Sequence, residues 1–163
     1  MTRLTGRVAI VTGAARGIGL AIARRFADEG AAVVMADVAG DALADAAAGV
    51  PGAVAIVSDV SRKADVARLV EAAVAHAGRI DVLVNNAGVT HACDFLDLEE
   101  SDFDRVLAVN LKSMFLCGQA VARHMVANGV RGAIVNLSSV NAVMAIANQV
   151  PYSVSKGGVN QLT

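Results

Sequence analysis

The stretch VPYSVSKGG sets Tyr152 four residues before Lys156, with Pro151 ahead of the pair and Gly157 and Gly158 behind it. On a helix this spacing puts both side chains on one face, about one turn apart. A phenol is a poor base at neutral pH unless its anion is stabilised, and an ammonium about 5 Å away at an effective dielectric near 20 supplies about 3 kcal/mol of attraction. A helix N-terminus, which Pro151 helps to set, acts in the same direction. Tyr152 so placed would take a proton from an alcohol or return one to a carbonyl. The same spacing also occurs on ordinary solvated helix surfaces, so the pair alone decides nothing. The segment NLSS changes the balance, because it ends a strand and offers Ser139 as a hydroxyl that can hydrogen-bond the reacting oxygen.

A second group of residues suits a nucleotide. VTGAARGIG places Gly13, Gly17 and Gly19 between a strand-like run and a helical one, with Arg16 and Ile18 among them. Backbone without Cβ can approach a pyrophosphate there, and a helix N-terminus presents unpaired N–H groups to it. Asp37 ends the next apolar run, where an acid would receive the adenosine ribose hydroxyls and repel a 2'-phosphate. NAD is therefore favoured over NADP. Arg16 argues the other way, since a guanidinium in the turn could pair with that phosphate. Asp59 and Val60, in SDV, are placed to meet the adenine edge and ring; of the cofactor-side residues Asn86, Ala87 and Gly88, in NNAG, the small ones would let backbone pass close to the cofactor, and the asparagine amides would tie neighbouring strands together. In an α/β sheet all these strand ends fall on one edge, the ligand crevice.

The elements that must position these groups are legible as alternation. RVAIVTG, AAVVMAD, AVAIVSD, DVLVNNAG and GAIVNLSS are short β-branched runs bounded by turn residues, apolar throughout, and read as fully buried strands. Helical patterns lie between them over 17–29, 41–49 and 61–77, with a longer pair covering 98–128. Ser61, with Asp65 near it, and Gly30, Gly78 and Gly129 are the candidate caps. Strand alternating with helix predicts a doubly wound α/β fold, a parallel sheet of five strands with helices on both faces.

The chain has 163 residues, 55% of them hydrophobic and 18% charged, which is one domain's length and enough to bury roughly 70% of its unfolded surface. With a net charge of -1 it offers no electrostatic footprint for nucleic acid or an anionic membrane, so small molecules or protein partners are expected. No apolar run reaches the ~18 residues of a membrane span, and the default compartment is the cytoplasm. Cys93, Cys117, His76, His91 and His124 have no metal-ligand spacing, so no metal is expected.

Taken in order and spacing, TGAARGIG, Asp59, NNAG, Val109-Asn110, NLSSV and YSVSK resemble the short-chain dehydrogenase/reductase family over the whole chain. The resemblance implies a Rossmann-like fold with its five strands in the order 3-2-1-4-5, an NAD(P) cofactor, and an Asn-Ser-Tyr-Lys tetrad that maps to Asn110, Ser139, Tyr152 and Lys156. It implies Ser139 rather than Ser138, which is left to pack or bond locally. It implies that Asn110 distorts its helix and helps to hold a water in a proton relay, while Tyr152 and Lys156 also contact the cofactor. Members of the family are oligomers and continue through two further strands. On that basis residues 1–163 form a single NAD(P)-binding domain holding five of an expected seven strands, without the segment that closes over substrate. The activity expected is hydride transfer between NAD(P) and a secondary alcohol or ketone, such as a sugar, polyol or hydroxy compound. The alternative is a nucleotide-binding or interaction module without turnover. The loops THACDFLDLEE (90–100) and VNAVMAIANQV (140–150) are the candidate substrate walls, with Asn141 and Asn148 more suited to holding the loop than to substrate.

Overall fold

The computed structural model describes residues 2–163. Among these, β1 (Val8–Thr12), β2 (Ala32–Asp37), β3 (Val54–Val57), β4 (Val82–Asn85) and β5 (Ala133–Asn136) pair in parallel in the order β3-β2-β1-β4-β5. This is the Rossmann-like order that the family resemblance implies, and the parallel five-stranded sheet expected from the alternation. Ile10 of β1 lies opposite Val34 of β2 and Leu83 of β4. Successive strand residues face opposite sides of a sheet. Ile10, Val34 and Leu83 accordingly enter one core with Leu69 and Val121, while their neighbours Val11, Val33 and Val84 enter the other with Ala23 and Leu43. A central strand that must satisfy two cores cannot afford an alternating pattern, which is why these runs are apolar throughout.

β3 and β5 depart from the expectation of full burial. Their residues alternate between half-buried and exposed, and Val57 and Val135 are 63% and 47% exposed. These are the outer strands of the sheet. Ile56 and Ile134 pack onto the first core, while Ala55, Val57, Ala133 and Val135, on the other face, stay exposed, although Val57 lies against Gly40 of the helix that follows β2.

The helices are α1 (Gly17–Asp28), α2 (Gly40–Ala48), α3 (Lys63–Ala77), α4 (Glu100–Leu107), α5 (Ser113–Ala127) and α6 (Val150–Leu162). Gly30, Gly78 and Gly129 follow the ends of α1, α3 and α5 as anticipated. Ser61 does not cap α3. Its N–H and hydroxyl both donate to Asp59 Oδ1, at 3.0 and 2.6 Å, and the helix starts at Lys63, with Arg62 at the N-cap position. Asp65 instead receives the Asp59 N–H at 3.2 Å.

The long pair over 98–128 is α4 and α5 joined through a π-helical turn, Ala108–Lys112, in which the Ser113 N–H donates to the Ala108 carbonyl. A turn of this width takes an extra residue into the helix and is found mostly where a side chain must be re-aimed. Here that residue set includes Asn110.

At the opposite, amino-terminal edge of the sheet, the buried carboxylate of Asp81 accepts from Arg7 at 2.8 Å, from Arg79 at 2.6 and 2.9 Å, and from the Val8 N–H at 3.0 Å. It closes the end of β1 against β4 and leaves the carboxyl edge for the site.

Candidate active site

The carboxyl ends of β1 to β4 open onto a cleft of about 370 Å³. Gly13, Arg16, Ile18, Asp37, Asp59, Val60, Asn86, Ala87 and Gly88, nine of the residues singled out in the sequence, line it. Val38, Ser58, Val89 and Val109 line it as well. Ser58 carries no chemistry in the sequence reading, yet its buried hydroxyl has no protein partner among the described residues.

Gly17 and Gly19 do not line the cleft. A Cβ on Gly19 would overlap the Gly13 carbonyl and come within 2.6 Å of Asn86 Nδ2, and one on Gly13, whose φ is 65°, would lie 2.8 Å from Ala87 Cα. The immediate task of these two glycines is therefore to let the β1–α1 turn press against the end of β4. The contact is held by Thr12, a buried residue the motif reading passed over. Its Oγ1 donates to the Val84 carbonyl and accepts from the N–H groups of Asn86 and Ala87, each at 3.1 Å. Asn86 Nδ2 completes the seam with bonds to the carbonyls of Thr12 and Gly13 at 2.9 and 3.1 Å. One strand over, Asn85 Nδ2 donates to Asn136 Oδ1 at 2.8 Å, so the asparagines do tie neighbouring strands together.

Asp37 accepts the Ala15 N–H on Oδ2 and the Ala39 N–H on Oδ1, each at 3.1 Å. These bonds aim the carboxylate from the end of β2 across the glycine turn, and each oxygen keeps a second lone pair for a ligand hydroxyl. α1 begins beside it with Arg16 in extended backbone and no side chain capping its first N–H groups. Those donors remain for whatever occupies the cleft.

Asn110, Ser139, Tyr152 and Lys156 adjoin this cleft rather than line it. Asn110 is fully buried in the π-helical turn, and both of its amide protons are committed. Oδ1 accepts the Val89 N–H at 2.8 Å, and Nδ2 donates to the Val89 carbonyl at 2.9 Å and to Ser155 Oγ at 3.0 Å. Val89 lines the cleft, as does Val109 of the turn itself, so the helix distortion abuts the cleft wall. Ser155 in turn donates to the Tyr152 carbonyl at 2.7 Å, inside α6.

Lys156 is 4% exposed, and its Nζ donates to the Leu137 carbonyl at 2.6 Å while standing 5.7 Å from the centroid of the Tyr152 ring. Burial pushes its ammonium below the ordinary lysine value. Leu137 immediately follows β5, so the lysine is tied to the strand end from which Ser139 also comes. Ser138 donates to the Lys156 carbonyl at 3.2 Å, a contact with α6 and not the local bond expected of it. Ser139 caps the turn Val140–Ala142, its Oγ accepting the Asn141 N–H at 3.2 Å. The Asn141 side chain holds the loop, and Asn148 joins it through its main chain alone. Asn141 Nδ2 donates to Gln149 Oε1 at 3.0 Å, and the Asn148 carbonyl accepts the Cys93 N–H at 3.0 Å. Among the described residues no group of three His, Cys, Asp or Glu could hold a metal ion, and no helix is long and apolar enough to cross a membrane.

The model of the short chain dehydrogenase family matches residues 7–163. The chain belongs to that family. It is 42% identical over 165 residues to a 3-oxoacyl-[acyl-carrier-protein] reductase of Thermotoga maritima, covering 99% of this chain and 67% of the relative. It is 44% identical over 161 residues to a D-threitol dehydrogenase of Mycolicibacterium smegmatis, covering 96% and 62%. Among solved structures it resembles an NAD+-bound xylitol dehydrogenase with a TM-score of 0.93 at 38% identity, over 99% of this chain and 64% of the other. The chain spans between 62% and 67% of the length of the curated relatives it matches.

Proposed function

We propose that this short-chain dehydrogenase oxidises a secondary alcohol to a ketone, or runs the reverse reduction, with NAD, and that residues 1–163 serve as its single dinucleotide-binding domain. The observation that carries the reading is the shared wall. Val89 lines the nucleotide cleft and is also the partner of Asn110, which is bonded through Ser155 to the helix of Tyr152 and Lys156.

The cleft fits a dinucleotide on its own chemistry. The uncapped start of α1 offers N–H donors for a pyrophosphate, the backbone of Gly13 lines the cleft beside it, and the Asp37 carboxylate suits ribose hydroxyls. Asp37 also favours NAD, because a 2'-phosphate set against it would meet a like charge. Arg16, on the same cleft, is the one feature in favour of the phosphate. NAD, when bound, supplies the acceptor for the hydride that leaves the carbinol carbon as the alcohol becomes a ketone.

The chain's own residues handle the proton. Ser139 offers its hydroxyl to the substrate oxygen and so orients it. Tyr152 takes the hydroxyl proton in oxidation and returns it in reduction. Lys156, desolvated and close to the ring, stabilises the phenolate more strongly than a solvated ammonium would. Both amide protons of Asn110 go to Val89 and Ser155, and through these bonds it fixes the π-helical turn, with one lone pair of Oδ1 left over. Any water of a proton relay would be held by main-chain groups that this turn exposes.

The test is to titrate the protein with NAD and follow NADH fluorescence across a panel of secondary alcohols, polyols and hydroxy compounds. Saturable NAD binding with turnover of at least one alcohol is expected. Binding with no turnover on any of them leaves only a nucleotide-binding module.

A further inference from the structure

Two loops flank the reacting groups, and both present large apolar side chains to solvent. The first is the excursion between Ser139 and Tyr152, where Val143 is 82% exposed and Met144 and Ile146 are exposed as well. The second follows NNAG, where Leu96 is 90% exposed beside an exposed Phe95 in a short 3-10 turn. They form one rim: the Cys93 N–H donates to the Asn148 carbonyl, joining the loops across the molecule. The first loop is braced on the tetrad itself through Ser139 to Asn141 and from Asn141 to Gln149. Exposed apolar side chains gathered at a site, rather than scattered singly, mark a surface built to be covered.

Charge narrows what covers it. Residues 138–152 contain no charged side chain, and residues 89–104 contain Asp94, Asp97, Glu99, Glu100, Asp102 and Asp104 with no lysine or arginine. The sole basic group of the second stretch, His91, lies 3.5 Å from Asp102. Arg105, just beyond it, is also paired to Asp102, at 2.7 Å. Lys156 is buried and bonded to Leu137. An anionic substrate would find no free cation on this rim and several carboxylates near it, while a polyol would lose water from its hydroxyls against side chains that cannot replace those bonds.

We infer that the rim of Val143, Met144, Ile146, Phe95 and Leu96 selects an uncharged secondary alcohol or ketone bearing a hydrocarbon ring or chain, against carboxylates, thioesters of anionic carriers, and polyols. This rests on the proposed alcohol–ketone chemistry. It also sets the chain apart from relatives of similar sequence whose names specify an acyl-carrier protein or a tetritol.

The test compares 4-methylcyclohexanol, 4-hydroxycyclohexanecarboxylate and xylitol with NAD and the full chain. The first two carry the same ring and carbinol and differ in a methyl against a carboxylate. The methyl compound should have a kcat/KM at least about tenfold above either of the others. Met144→Lys should narrow or invert the methyl-to-carboxylate ratio, and Asp94→Asn should raise the carboxylate alone. Saturation-transfer NMR of the same three compounds, with NAD and the Tyr152→Phe variant, separates specificity from chemistry. Binding of the methyl compound in preference, without turnover in the parent protein, upholds the inference and sinks the proposed reaction. Preferential binding or oxidation of the carboxylate or the polyol overturns the inference and leaves the reaction standing. Equal treatment of all three, or a ratio unmoved by Met144→Lys, also overturns it.

Discussion

Asn110 and Ser155, 45 positions apart, share a buried hydrogen bond of 3.0 Å that ties the π-helical turn between α4 and α5 to the helix bearing Tyr152 and Lys156. The Ser155 hydroxyl stands between two clients, accepting from Asn110 and donating to the Tyr152 carbonyl at 2.7 Å. Neither bond touches substrate. Together they set the height of the phenol relative to the cleft wall at Val89.

Ser155→Ala removes an acceptor from a fully buried amide. The expected cost is about 1–2 kcal/mol in urea denaturation. Turnover should fall on the order of tenfold through misplacement of the phenol, with NAD affinity unchanged. A variant as active as the parent would show that the bond is structural padding.

Thr12 gives a sharper contrast. Thr12→Ala leaves the N–H groups of Asn86 and Ala87 without their acceptor and should cost about 3 kcal/mol and weaken NAD binding severely. Thr12→Ser retains the oxygen and should restore most of both, since only a methyl is lost. Isothermal titration with NAD on the two variants checks this, and equal losses in Ser and Ala would refute the hydrogen-bond account.

Asp37→Ser removes the like charge that a 2'-phosphate would meet. The ratio of kcat/KM for NADP over NAD should rise about 100-fold or more. An unchanged ratio would mean that Asp37 does not face the ribose.

Asp81 should govern acid stability. Burial pushes its carboxyl up, but the hydrogen bonds from Arg7, Arg79 and the Val8 N–H outweigh burial and hold it below the usual carboxylate range. A depressed folded-state value means that the stabilisation is fully present above the ordinary aspartate range near 3.9 and is lost as pH falls through the lower folded value. Asp81→Asn should therefore cost about 2 kcal/mol near neutral pH and show a shallower loss of stability on acidification. Urea midpoints at about pH 6 and about pH 3 measure both, and an acid slope identical to the parent would assign the effect to other carboxylates.

The central strands were readable because a strand facing two cores has no polar positions to confuse its run, as Ile10 and Val11 illustrate, while their order came from the family resemblance. The edges misled for the same reason: Val57 and Val135 are apolar but exposed, and nothing local distinguishes them from Val33 or Val84. The π-helical turn at Asn110 carries no periodic mark, since one inserted residue shifts a helical pattern by less than its ordinary noise; it reached the sequence reading only through family resemblance. Thr12, Ser58 and Ser155 were passed over because a hydroxyl's importance lies in the long-range partners it finds. Ser61 failed as a cap because the helix starts one residue later than its spacing suggested, at Lys63, with Arg62 at the N-cap position.

The most direct measurement of the central claim is single-turnover and steady-state kinetics of Tyr152→Phe in the full chain, with NAD affinity determined alongside. The aromatic ring and its packing stay while the proton-carrying oxygen goes. The account predicts turnover lower by about 1,000-fold with NAD affinity within about threefold of the parent. Near-parental turnover with intact NAD binding would contradict it.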